Sequence, residues 1–157
     1  MIISFSGHRS QKIGGFVLPN PTYISICKQT AAILQELKPE KCISGGALGY
    51  DQYSAFVCLK LGIPYDLAIP FEGFEKRWTE QSKRAFQALR NKAAKTVIIE
   101  KEFSIAAYQR RNEFLVDNCD LLVACWNGTP GGTANCVRYA ESIGKPIRFL
   151  ELPGAGA

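Results

Sequence analysis

The sequence contains 157 residues, of which 46% are hydrophobic and 21% are charged, and its formal net charge is +5. This length is typical of one domain, the apolar content excludes a disordered chain, and no apolar run is long enough to cross a membrane. The amino-terminal segment lacks the basic start and the apolar length of a secretory signal, so we expect a cytoplasmic protein.

Short apolar runs alternate with amphipathic segments along the chain. The predicted strands cover residues 2–5, 41–44, 65–69, 96–99, 121–125 and 147–150, and Pro70 is expected to end the third. The predicted helices cover residues 21–37, 50–61, 78–92, 104–117 and 133–143, with Asn20 as the cap of the first. We expect one domain over residues 1–152 and a flexible tail over residues 153–157.

Strands that alternate with helices predict parallel β-α-β units with right-handed crossovers. The expected fold is therefore a three-layer, Rossmann-like α/β domain, whose mostly parallel sheet of about six strands is flanked by helices. Such folds bind ligands beyond the carboxyl ends of the strands, where the strand order reverses. The segments that follow strands should lie along this edge: residues 6–9, 44–51, 70–72 and 126–133.

Gly131, Gly132 and Thr133 follow a strand and begin a helix. Glycines let the backbone approach a ligand closely, and the free N–H groups at a helix start favour an anion such as phosphate. Thr133 can add a hydroxyl donor. An ordinary strand-to-helix turn is the alternative, but Trp126 and Asn127 in the segment before it favour a ligand loop.

A second glycine-rich loop, formed by Ser44, Gly45, Gly46 and Ala47, follows the second strand. It lacks both the spacing of a dinucleotide-binding fingerprint and the lysine of a P-loop. Asp51 falls in the first turn of the next helix. Its carboxylate either complements the helix dipole or accepts hydrogen bonds from ribose hydroxyls, and the sequence leaves these two roles open.

Gly7, His8 and Arg9 follow the first strand, which is central in most doubly wound sheets. Arg9 suits bidentate binding of a phosphate or carboxylate. His8 either donates to a ligand or is a satisfied turn residue.

Arg111 and Asn112 share a face of the fourth helix with a core leucine, which turns them toward the ligand edge of the sheet. A buried arginine is costly without an anionic partner, so we expect both residues in the site. Phe71 and Trp126 either stack on a base or belong to the core.

The charge excess lies mostly in residues 72–113, where basic and acidic side chains alternate. Solvated helix faces and a phosphate-bearing ligand both account for this pattern, whereas duplex DNA usually needs a denser basic stripe. The chain has six cysteines without a C-x-x-C pair and a single histidine, so we expect no metal site and buried cysteines.

These motifs together resemble the YpsA-like branch of the SLOG superfamily, over about residues 2–150. The resemblance implies a Rossmann-like fold that binds a nucleotide-derived small molecule, including NAD or ADP-ribose relatives and cyclic nucleotide signals, with no required cofactor. Members occur in bacteria and their viruses, and some SLOG domains are sensors in antiviral defence. The implied role is that of a sensor or a sequestering protein.

Two cousins in the superfamily suggest alternative functions. The cytokinin-activating phosphoribohydrolases have a similar glycine loop, but Cys136 stands where their catalytic glutamate would be, which leaves only Glu113 and Asp117 as weak catalytic candidates. A nucleotide N-glycosidase is therefore the first alternative. A DNA-binding accessory protein, by similarity to DNA-processing protein A, is the second, and we expect nucleic acid not to be the partner. Self-association of the chain is left open.

Overall fold

Six strands form an all-parallel sheet in the computed structural model, which describes residues 1–152. The tail predicted at 153–157 lies outside these residues. The strand order is β4-β3-β2-β1-β5-β6, and it confirms the predicted fold class. The strands are β1 (Ile2–Gly7), β2 (Lys41–Ser44), β3 (Tyr65–Phe71), β4 (Lys95–Glu100), β5 (Leu121–Cys125) and β6 (Ile147–Phe149).

Five α-helices within the described residues cover the two faces of the sheet. They are α1 (Pro21–Leu37), α2 (Tyr50–Leu61), α3 (Glu80–Lys92), α4 (Ile105–Asp117) and α5 (Gly132–Ser142), and a short 3-10 helix (Ser10–Lys12) follows β1. Helix α2 packs against α1 and α3, whereas α4 packs against α5, which gives one helix layer on each side. Asn20 caps α1 as predicted, because its Oδ1 accepts the Tyr23 N–H at 2.9 Å.

The strand order reverses between β1 and β5. The chain builds β1 to β4 in one direction and then crosses to the other side of β1 to add β5 and β6. Gly7 and Cys125, the last residues of β1 and β5, lie opposite each other in the register. This is the place where a doubly wound sheet opens a crevice for a ligand.

Strand β3 does not stop at Pro70, so that expectation was wrong. Its pairing with β4 continues to Phe71, opposite Glu100, and the register passes over Pro70. Strand β2 ends at Ser44, opposite Leu67, so Pro70 has a neighbouring strand on one side only. A proline is tolerated where its missing N–H is not required by a ladder on both sides.

The core fills the space between the sheet and the helices. Tyr50 at the start of α2 is fully buried, packs edge-on against Phe5 at 6.0 Å between ring centroids, and has its hydroxyl 2.9 Å from Thr30 Oγ1. Burying such a side chain stabilises the fold by about 1.5–3 kcal/mol. Tyr50 therefore fixes the start of α2, which carries Asp51. Among residues 1–152, none of the helices has the length and hydropathy needed to span a bilayer.

Candidate functional site

A cleft of about 330 Å³ opens at the carboxyl ends of β1 and β5. Its walls come from the segment after β1, the start of α2, the inner face of α4 and the start of α5. The lining residues are Ser6, Gly7, His8, Arg9, Gln11, Lys12, Ala47, Asp51, Tyr108, Arg111, Asn112, Leu115, Gly131, Gly132 and Thr133.

The cleft brings together most of the residues that the sequence predicted for a ligand site. Those that line it are Gly7, His8, Arg9, Ala47, Asp51, Arg111, Asn112, Gly131, Gly132 and Thr133. The remaining predicted residues do not line it: Ser44, Gly45, Gly46, Phe71, Trp126 and Asn127.

Ser44 and Gly45 lie behind the cleft wall and position the residues that line it. Ser44 Oγ donates to the Asp51 carbonyl at 2.6 Å, and the Gly45 carbonyl accepts from Arg111 Nη1 at 2.7 Å. A Cβ atom on Gly45 would lie 2.6 Å from Asp51 Oδ2 and 2.8 Å from Arg111 Nη1. Any side chain at this position would have to displace two buried charged groups.

Asp51 and Arg111 place opposite charges on the floor of the cleft. Only 6% of Asp51 and 5% of Arg111 is exposed. Burial raises the pKa of Asp51, and the nearby charges of Arg111 and Arg9 oppose this shift. Burial lowers the pKa of Arg111, which Asp51 opposes. An arginine stays protonated in proteins, so Arg111 is a fixed positive charge beside a carboxyl whose charge is costly.

His8 joins the end of β1 to the loop between β5 and α5. Its Nε2 accepts the Asn127 backbone N–H at 3.0 Å and lies 2.8 Å from Asn127 Oδ1. Burial lowers the pKa of His8; the hydrogen bond to Asn127 opposes this, and the charge of Lys12 adds to it. The imidazole is therefore neutral at neutral pH, and it orders the loop that leads to α5.

Arg9 and Lys12 bring positive charge to the mouth of the cleft, and both side chains are exposed. Lys12 Nζ donates to Thr129 Oγ1 at 3.1 Å, a neutral partner. The ion pairs formed within residues 1–152 use neither of these side chains, nor Arg111. Three cations therefore face the cleft, against the single carboxylate of Asp51.

The start of α5 is open toward the cleft. Gly131 is the cap residue and supplies no side-chain hydrogen bond to the helix. A Cβ atom on Gly131 or Gly132 would meet nothing within 4 Å. The first backbone N–H groups of a helix have no partner in the helix, and together with the helix dipole they attract anions. Asn112 Nδ2 donates to the Gly132 carbonyl at 3.3 Å and ties this turn to α4.

Phe71 and Trp126 do not line the cleft, and both rings have protein partners. Phe71 is buried and packs edge-on against Phe103 and Tyr108, at 5.3 and 5.6 Å between ring centroids. Trp126 Nε1 donates to the Thr129 carbonyl at 2.8 Å, and its ring lies 6.3 Å from that of Phe149. Both rings are therefore held by the protein, outside the set of residues that lines the cleft.

The structure also places the two weak catalytic candidates outside the cleft. Glu113 Oε2 accepts from Gln109 Nε2 at 3.2 Å, and Asp117 Oδ1 accepts from the Tyr139 hydroxyl at 2.7 Å. Both lie on a face of α4 that turns away from the lining residues of the same helix. Among residues 1–152, Asp51 is the one carboxylate that lines the cleft.

Four lining residues were not among those predicted for the site: Gln11, Lys12, Tyr108 and Leu115. Ser6 also lines the cleft and lies in the segment 6–9 that was expected along this edge. Gln11 and Lys12 reach the cleft because the 3-10 helix turns the chain back directly after β1. A polar, glycine-containing stretch after a strand carries no pattern that predicts such a turn. Tyr108 and Leu115 share the helix face of Arg111 and Asn112, which the sequence predicts, but they were not assigned to the site.

Comparison with known protein families identifies the chain. The model of a family described as the YspA SLOG family (YpsA) matches residues 3–148. The chain belongs to the YpsA SLOG family. It is 30% identical to the SPbeta prophage-derived protein YoqJ of Bacillus subtilis, over 79% of this chain and 85% of YoqJ. The resemblance seen in the sequence motifs is therefore confirmed.

Solved structures with the same fold are more distant in sequence. DNA processing protein A from Helicobacter pylori, whose structure concerns single-stranded DNA binding, matches with a TM-score of 0.67 and 17% identity, over 95% of this chain and 64% of that one. The molybdenum cofactor binding protein of Rippkaea orientalis matches with a TM-score of 0.62 and 18% identity, over 94% and 74%. At these identities the matches show a shared Rossmann-like fold.

Proposed function

We propose that the cleft of this YpsA SLOG protein binds a small, phosphorylated, nucleotide-derived molecule. The observation that carries the proposal is the position of the α5 start, which opens onto the same cleft as Arg9 and Lys12. Residues of this helix start and two exposed cations line the cleft, and the ion pairs within residues 1–152 include neither cation. In this proposal the phosphate group lies against Gly131 and Gly132, and Arg9 binds it from the other side.

The charge of the cleft favours a phosphate monoester. Arg9, Lys12 and Arg111 contribute three positive charges and Asp51 one negative charge, which leaves a net charge of +2. A phosphate monoester carries about −1.5 to −2 at pH 7, so it neutralises the cleft. A cleft of about 330 Å³ is also at the small end of ligand pockets, which range over about 300–1,000 Å³. A sugar phosphate or a mononucleotide fits this size best, and the rest of a larger NAD- or ADP-ribose-like molecule would lie outside the cleft.

The role that fits such a site is capture of a signal molecule. YoqJ is prophage-derived by name, and a protein that binds a nucleotide signal without cleaving it can lower the free concentration of that signal. We therefore propose that this chain is a sensor or a sequestering protein in the conflict between bacteria and their viruses. The proposed cleft residues bind and orient the ligand, and none of them is required to break a bond.

Isothermal titration of the chain with inorganic phosphate, ribose 5-phosphate, AMP, ADP-ribose and NAD tests the proposal. We expect millimolar or tighter binding of at least one phosphorylated compound. We expect Arg9→Ser to lower this affinity roughly tenfold or more, because a charge-assisted hydrogen bond contributes about 1.5–3 kcal/mol. Arg84→Ser is the matched control, because Arg84 is exposed on α3 and does not line the cleft. Binding that is absent in the unmodified chain, or unaffected in Arg9→Ser, contradicts the proposal.

Single-stranded nucleic acid is the second candidate. The related fold of the Helicobacter pylori protein is described with single-stranded DNA, so the comparisons give no support to our expectation against nucleic acid. The cationic mouth of the cleft could also accept a phosphodiester. An affinity for an oligonucleotide that falls steeply between 50 and 200 mM salt would favour this candidate. The slope of log affinity against log salt concentration gives the number of phosphates neutralised. An oligonucleotide that does not bind at low salt removes it.

A nucleotide N-glycosidase needs a carboxylate near the anomeric carbon to stabilise the developing positive charge. Glu113 and Asp117 do not reach the cleft, so this alternative now rests on Asp51 alone. Chromatography of AMP, CMP and their deoxy forms after prolonged incubation detects released base. Release of free base that disappears in Asp51→Asn would show that the protein is an enzyme and that Asp51 takes part in the reaction. Intact nucleotides leave the binding function as stated.

A further inference from the structure

The Asp51 carboxylate has one occupied oxygen and one free oxygen. Oδ2 accepts the Ala47 N–H at 3.2 Å. Oδ1 makes no hydrogen bond within residues 1–152, and it is not sealed inside the protein, because Asp51 lines the cleft. A side chain that is 6% exposed, with a free acceptor directed to a cleft, is an incomplete site. A ligand that enters the cleft can supply the hydrogen-bond donor that this oxygen lacks.

The charge balance of the cleft indicates what kind of donor this is. A phosphate monoester already neutralises the net charge of +2 set by Arg9, Lys12, Arg111 and Asp51. An ammonium group beside Asp51 would leave uncompensated positive charge between two arginines. A neutral hydroxyl adds no charge, and a carboxylate oxygen is among the strongest acceptors that a hydroxyl can find. A hydroxyl group therefore fits the position opposite Asp51 better than an ammonium group does.

We infer that the cleft selects ribose over 2-deoxyribose by a hydrogen bond from the sugar 2-hydroxyl to Asp51. The inference rests on the proposed phosphate site and adds the sugar class of the ligand. With the phosphate at the start of α5, the adjoining sugar lies toward the start of α2, where Asp51 and Ala47 form the floor. A 2-deoxy sugar lacks the 2-hydroxyl, so the donor that we assign to Oδ1 is absent beneath the ligand. An unpaired buried carboxylate is costly, so the deoxy ligand binds less tightly.

The sharpest variant is Asp51→Asn. Asparagine keeps one oxygen that can accept the Ala47 N–H, and it replaces the free acceptor by an NH₂ donor. The variant therefore preserves the contact within the loop and removes the acceptor offered to the ligand. It also removes the negative charge beside Arg111, which acts alike on the two sugar phosphates, so the ratio of their affinities reports the lost acceptor. Asp117→Asn is the matched control, because Asp117 accepts a hydrogen bond from Tyr139 away from the cleft. A urea titration of each variant establishes that the comparison is made between folded proteins.

The test measures the affinity of four probes by amide chemical-shift titration of the ¹⁵N-labelled chain: inorganic phosphate, ribose 5-phosphate, 2-deoxyribose 5-phosphate and O-phosphoethanolamine. We expect ribose 5-phosphate to bind roughly tenfold to a hundredfold more tightly than its deoxy form, as for loss of a hydrogen bond to a charged group. We expect this ratio to fall toward one in Asp51→Asn and to persist in Asp117→Asn.

The four probes separate failure of this inference from failure of the proposed function. Equal affinity for the two sugar phosphates in the unmodified chain overturns the sugar selection and leaves the phosphate site standing. Tightest binding of O-phosphoethanolamine also overturns it, because Asp51 would then recognise an ammonium group. A ratio that survives in Asp51→Asn assigns the selection to another residue and overturns the role of Asp51. If no probe shifts an amide resonance, the phosphate site itself is wrong.

Discussion

The Gly45 carbonyl accepts a hydrogen bond from Arg111 Nη1 at 2.7 Å, across 66 residues of sequence. This bond joins the glycine loop after β2 to the inner face of α4. It also holds the guanidinium in the cleft floor, near the carboxylate of Asp51. Two segments that look unrelated in the sequence thus form a single rigid part of the candidate site.

Replacing Gly45 by alanine tests this contact. The added Cβ would lie 2.6 Å from Asp51 Oδ2 and 2.8 Å from Arg111 Nη1. Because both neighbours are buried and charged, we expect Gly45→Ala to lower the free energy of unfolding by about 1–3 kcal/mol, the usual cost of overpacking. Urea denaturation followed by circular dichroism measures the loss. A variant as stable as the unmodified chain would show that this loop adapts freely.

Gly132→Ala is the matched substitution on the opposite wall of the cleft. A Cβ atom at this position meets nothing within 4 Å, and the residue is the first of α5. We expect the free energy of unfolding to stay equal or to rise by about 0.4–1 kcal/mol, because alanine restricts the unfolded chain. We also expect weaker binding of inorganic phosphate, since the methyl group occupies the space in front of the helix start. If Gly132→Ala keeps both its stability and its affinity for phosphate, the anion binds somewhere other than the start of α5.

The strand ends could be predicted from sequence because alternating apolar runs and helices leave few topologies. Arg9, Asp51 and Gly132 were found in this way, since each follows a strand. Helical periodicity alone also predicts where Glu113 and Asp117 lie on α4. Glu113 and Asp117 are about half a turn away from the face that carries Arg111, so they point away from the cleft.

What could not be predicted depends on contacts and turns that have no pattern in the sequence. Phe71 and Trp126 also follow strands, but the packing of Phe103 and the carbonyl of Thr129 decide where their rings lie. The contribution of Lys12 depends on a 3-10 turn that has no sequence signature. The free oxygen of Asp51 appears only when the loop before α2 is folded.

His8 predicts a pH dependence of stability, and it is the only histidine in the chain. Burial lowers its pKa below 6.5 in the folded state, whereas the unfolded chain titrates near 6.5. The unfolded state therefore binds more protons between these two values. The stabilisation that neutral His8 contributes is complete above pH 6.5, and it is lost as the pH falls toward the pKa of His8 in the folded state.

We expect the free energy of unfolding to fall from pH 7 to pH 5, and expect His8→Gln to lose less over this interval. Urea titrations at five pH values measure the difference, and proton NMR of the single imidazole gives its folded pKa directly. An imidazole that titrates above 6.5 would contradict the prediction. It would indicate that His8 donates to Asn127 Oδ1 as a cation.

Removing Arg111 gives the largest effect that we predict for the site. Arg111→Met deletes the main opposing charge beside Asp51, whose carboxyl is already difficult to ionise because it is buried. We expect the free energy of unfolding at pH 7 to fall by about 2 kcal/mol or more, as when one partner of a buried charge pair is lost. The pKa of Asp51 then rises further above that of the unfolded chain, so the folded state binds the extra proton. The destabilisation therefore grows as the pH rises through the folded pKa of Asp51 and is smaller at acid pH.

The double variant Arg111→Met with Asp51→Asn separates charge from packing. It has no buried carboxylate to ionise, so we expect it to be more stable at pH 7 than Arg111→Met alone and to have a flatter pH profile. Urea titrations of the four proteins at pH 5 and pH 8 complete the cycle. If Arg111→Met loses the same stability at both pH values and Asp51→Asn restores none of it, Arg111 stabilises the fold through its hydrogen bond to Gly45. The charge of Asp51 would then be balanced by Arg9 instead.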